Sequence, residues 1–194
     1  MTDTVFFVIF VGFSANLAIQ TGLGVRDIIG IKQYKWENSF SQGFILFFSV
    51  LVTWIVFNFL VFPLNLGFLE TLLLLPLTIL FAVFIEKGFF FVFSKLTKPA
   101  GSSVLSAYNG LIFGAAFFVL KMAESFTDAL IMAAGFSLGY MLSMAIILEI
   151  HKRSSIEAVP KALRGSPLLL ISLSLLSLVC SAAAVFFLQM IDSL

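Results

Sequence analysis

Five stretches of this chain run for about twenty residues or more without an Asp, Glu, Lys or Arg: 4–25, 38–69, 99–120, 129–148 and 165–191. About 20 apolar residues coil into a helix long enough to cross the hydrocarbon of a bilayer. In hydrocarbon the backbone must satisfy its own hydrogen bonds, which leaves helices for runs of this length. A sixth run, 71–85, lies between Glu70 and Glu86. Its 15 residues cover about 22 Å as helix, so the two carboxylates belong near opposite interfaces. The long run 38–69 divides at Pro63-Leu-Asn-Leu-Gly67. The expectation is an all-α membrane protein with six transmembrane helices, at about 4–24, 42–61, 68–92, 102–121, 128–149 and 167–190.

Composition supports lipid as the solvent. Residues are 61% hydrophobic and 11% charged, more apolar surface than a soluble domain of 194 residues can hide. The chain reads as a single integral membrane domain, 1–194, with no room for a soluble appendage. The opening MTDTVFFVIFVGF lacks a basic region and carries Asp3, so it reads as the start of the first span, not a signal peptide. A net charge of +1 gives no reason to expect nucleic acid. The lone Cys180 can form neither an internal disulfide nor a metal site by itself, and reads as a small buried residue.

Ten of the eleven basic residues fall in three connections: Arg26, Lys32 and Lys35; Lys87, Lys95 and Lys98; Lys152, Arg153, Lys161 and Arg164. Lys121 alone is on the other side. The positive-inside rule then puts those connections in the cytoplasm and both termini outside. The halves also echo each other. Ser14-Ala15-Asn16 matches Ser106-Ala107-Tyr108-Asn109, with the asparagines 93 apart, and Pro63 and Gly67 are answered by Pro160 and Gly165. Three helices per half is an odd number, so the second half enters the membrane inverted: a 3+3 repeat, 1–97 against 98–194.

Polar residues inside the spans are few. Asn16 with Gly22 and Gly24, and Asn109 with Gly110 and Gly114, mark matched steps. They fit either interrupted helices facing a central site or close helix packing with each Asn bonded across an interface. Glu70 fits a helix N-terminus or an ion path, and Glu86 a cytoplasmic interface or the same path. Glu149 lies closer to water, and His151, followed by two cations, reads as solvated. Trp36 reads as an interfacial anchor, Trp54 needs a partner for its N–H, and Pro76 should kink its helix. No nucleophile–base pair, phosphate loop or metal spacing is present, which leaves an intramembrane enzyme little support.

Asn16, the loop LGVRDIIGI at 23–31, the turn PLNLGFLETL at 63–72, Glu86, YNGLIFG at 108–114 and VPKALRG at 159–165 follow one another along nearly the whole chain. In this order they resemble the six-helix membrane subunits of the Rnf and Nqr electron-transport complexes, most of all the Rnf A and Nqr E type. The resemblance implies an inverted repeat with helices 1 and 4 interrupted. It also implies a bacterial-type inner membrane, a related six-helix partner, other Rnf/Nqr-like subunits, and ion movement coupled to electron flow. On this footing Asn16, Asn109, Glu70 and Glu86 are the candidate central-site or ion-pathway residues.

One departure is sharp. In that family two cysteines, one from each interrupted helix, share an intramembrane [2Fe–2S] cluster with a partner subunit. The matching positions here hold Arg26 and Gly110. Neither ligates iron as a thiolate does. The implied role is therefore structural or ion-conducting, at most a non-catalytic subunit of a membrane oxidoreductase. Flavin and iron–sulfur centres would sit on partner subunits and none on this chain alone. The alternative is a repurposed stand-alone or uptake-system transport protein on the same six-helix fold.

The charge asymmetry makes a direct prediction. Green fluorescent protein fused in the 152–164 connection should fluoresce, and alkaline phosphatase fused at the C-terminus should be active. The reverse pattern would sink the orientation.

Overall fold

A computed structural model describes residues 12, 16–21, 36–63, 69–92, 110–156, 160 and 166–192. Within them the elements are helical: α1 (Leu17–Thr21), α2 (Trp36–Val56), a π turn (Phe57–Val61), α3 (Glu70–Val92), α4 (Gly110–Met122), α5 (Phe126–Ile156) and α6 (Ser166–Asp192). Four spans are long and apolar enough to cross a membrane: Ser39–Val61, Glu70–Phe89, Phe126–Ile150 and Pro167–Phe186. Gly110–Met122 is a shorter apolar helix. The chain is an all-α membrane protein.

Several boundaries differ from the sequence expectation. α2 begins at Trp36, not near 42, and α5 runs to Ile156, not 149. Both extensions are polar, and a helix needs no apolar stretch to continue into water. Arg153 Nε donates to Glu149 Oε1 at 2.9 Å, an i,i+4 pair that supports the α5 extension. The expected start of helix 4 near 102 lies outside the described residues. α2 closes in a wide turn, with the Phe62 N–H donating to the Phe57 carbonyl at 3.0 Å, directly before Pro63. α5 opens with a capping box: the Asp128 N–H donates to Ser125 Oγ and the Ser125 N–H to Asp128 Oδ2, both at 3.2 Å. Pro76 lies inside α3 and, having no N–H, cannot bond the carbonyl one turn back.

α2 and α5 form the centre. α2 packs against α3, α4 and α5, and α5 against α1, α4 and α6. α1 also touches α4 and α6, and α3 touches α4. The core gathers Val50, Phe57, Leu74, Val119, Met132, Met144 and Ile147. α3 and α6 turn large apolar side chains outward, Leu72, Phe84 and Phe91 on one and Leu178 and Phe186 on the other. Trp54 is buried, donates through Nε1 to the Ala123 carbonyl at 3.4 Å and meets Phe126 at 5.9 Å between ring centroids. The side chains of Trp36 and His151 lie outside the described residues.

Small residues set the approach at the centre. On α5, Gly135, Gly139 and Ser143 recur every fourth residue, a packing face of small side chains. Gly12 lies against it: a Cβ on Gly12 would stand 3.1 Å from the Gly135 carbonyl oxygen. A Cβ on Gly139 would stand 3.0 Å from Gly12 Cα and closer still to its carbonyl oxygen. Where α2 crosses α5, Ser137 Oγ donates to the Gly43 carbonyl at 2.8 Å, and Met141 covers Gly43.

These contacts rank three substitutions. Gly139→Ala drives a methyl into backbone and should cost about 1–3 kcal/mol. Gly43→Ala meets only the flexible Met141 side chain, 2.9 Å away at Cγ, and should cost less. Gly88→Ala has nothing within 4 Å and should stabilise by up to about 1 kcal/mol through helix propensity. Thermal unfolding in detergent reads the order; equal effects at all three would contradict the packing described.

Candidate functional site

Asn16 is 2% exposed and sits at a non-helical position directly before α1. Its Oδ1 accepts from the N–H groups of Ala18 at 3.1 Å and Ile19 at 3.3 Å, the donors that the first turn of a helix leaves free. Its Nδ2 donates to two carbonyls, Gly12 at 2.9 Å and Gly139 at 2.8 Å. Ser143 Oγ lies 2.9 Å from Asn16 Oδ1 and 2.8 Å from the Gly139 carbonyl, so its single proton is shared between them. Two N–H donors on one side and two carbonyls on the other fix the amide's orientation. Its hydrogen-bonding capacity is filled by protein groups. These bonds across to α5 agree with the packing reading of Asn16.

A narrow crevice between α1, α4 and α5 is lined by Asn16, Ala18, Leu111, Phe136, Gly139 and Tyr140 and is too tight for a water molecule. Tyr140 is buried and its hydroxyl donates to Gln42 Oε1 on α2. Gly110 opens α4 beside Leu111, so the fold brings it to the same region as Asn16. Asn109 and Arg26 lie outside the described residues.

The donor chemistry here does not fit an iron–sulfur cluster. Gly110 has no side-chain donor, the two polar side chains of the crevice are bonded to protein, and Cys180 is buried on α6. Among the described residues no group of three or more His, Cys, Asp or Glu is placed to hold a metal.

Glu70 and Glu86 both belong to α3 but not to one site. Sixteen residue steps separate them, about 24 Å along a helix. Between them Leu74, Thr78 and Ala82 are buried, a stripe at every fourth residue that ends in Glu86 at 6% exposure. Thr78 Oγ1 donates to the Leu75 carbonyl at 2.9 Å. Glu70 occupies the first turn of α3, where the helix dipole favours negative charge. Its Oε2 accepts from Lys121 Nζ at 2.8 Å, an ion pair joining α3 to the end of α4.

Sequence reasoning singled out Asn16 but not Gly139 and Ser143, its partners. Their signal was the small-residue spacing Gly135, Gly139, Ser143. Lys121 stood out as the lone cation on its side, yet nothing in the sequence pairs it with Glu70.

Replacing Asn16 by Leu strands the helix-start N–H groups of Ala18 and Ile19 and removes the amide's bonds to the Gly12 and Gly139 carbonyls. The expected cost is about 3 kcal/mol, against about 1 kcal/mol for Ser143→Ala. Both are read by unfolding in detergent. An Asn16→Leu protein as stable as wild type would show that the amide's bonds contribute nothing.

No family profile matches the chain. It is 28% identical over 174 residues to the A subunit of the ion-translocating oxidoreductase complex of Buchnera aphidicola subsp. Schizaphis graminum, covering 84% of this chain and 87% of the relative. It is 26% identical over 190 residues to the protein of the same name from Photorhabdus laumondii subsp. laumondii, covering 92% and 94%. With the A subunit of the Na(+)-translocating ferredoxin:NAD(+) oxidoreductase complex of Acetobacterium woodii, identity is 23% over 184 residues, covering 90% and 93%. The chain is a homologue of the A subunits of ion-translocating oxidoreductase complexes, the Rnf type.

Proposed function

We propose that the chain is an integral membrane subunit, one domain over 1–194, of an ion-translocating oxidoreductase complex in a bacterial-type inner membrane, with both termini outside. The observation that carries this reading is the extent of the match, which runs over 90% of this chain and 93% of the Acetobacterium woodii relative. None of the relatives named above is an uptake protein, which leaves the stand-alone transporter reading without support. The partners are a related six-helix membrane protein and redox subunits that hold flavin and iron–sulfur centres.

The repeat fits the helix pairing. Exchanging each helix for the one three places along turns α2–α3 into α5–α6, α2–α4 into α5–α1, and α3–α4 into α6–α1. Each of those pairs is in contact. This symmetry supports an inverted 3+3 architecture in which Asn16 and Asn109 hold matching positions.

With no cluster donors at Gly110 or Arg26, the subunit's contribution is structural and ionic. Glu86, a carboxylate 6% exposed within a membrane span, is the residue proposed for the ion path. Asn16 acts by fixing the helices around it and Glu70 lies at the opposite end of α3.

A mild-detergent pull-down of the native protein should recover flavoprotein and iron–sulfur chains, with iron, acid-labile sulfide and flavin in the same sample. Recovery alone, without iron or flavin, would end this reading. Glu86→Gln should leave that assembly intact and lower ion movement by about tenfold or more in vesicles. Unchanged ion movement would remove Glu86 from the path.

A further inference from the structure

We draw no further inference here: the strongest candidate, the exposed face of α6 that carries Ile171, Leu178 and Val185, is an unpartnered apolar helix face, and nothing in the structure shows what covers it.

Discussion

A backbone amide in hydrocarbon has no water to fall back on, and this fold turns on how one side chain meets that rule. A helix that starts buried within the protein exposes N–H groups that only other protein groups can satisfy. Asn16 supplies the acceptor for two of them and donates its own N–H groups to carbonyls of Gly12 and Gly139. One amide therefore makes the helix start tolerable and sets where α1 stands on α5. Glycine at Gly12 and Gly139 is the condition for this, since the bonds close only if the backbones come nearly into contact.

The same device recurs at the α2–α5 crossing. Ser137 reaches the Gly43 carbonyl and Tyr140 reaches Gln42, so the two central helices are joined by polar side chains across small-residue contacts. Lipid tails are as apolar as leucine, so apolar burial drives helices together weakly in a membrane, and packing with hydrogen bonds must substitute. Among the described residues, α3 and α6 present much apolar surface outward.

Four of the expected spans were legible because charges are so unfavourable in hydrocarbon that their absence marks the helices. The boundaries at Trp36 and Ile156 were not, because the flanking stretches carry charges and that criterion marks only charge-free runs. Asn16 was legible as a rare polar residue. Its partners were not, because Gly139 and Ser143 lie 123 and 127 residues away and look, taken singly, like ordinary small residues. Glu70 and Lys121 each stood out at the end of a charge-free run, but only the folding of α3 beside α4 brings them 2.8 Å apart. Gly110 and Arg26 stood out only by their departure from the pattern of the family that the sequence resembles, and Arg26 lies outside the described residues.

The sequence distance between Asn16 and its partners also imposes an order on biogenesis. The chain is made from its N-terminus, yet the groups that complete the Asn16 amide belong to α5. Until residue 143 is synthesised and inserted, the Gly139 carbonyl and the Ser143 hydroxyl do not exist for it. The buried start of α1 is thus completed only once α5 has been made.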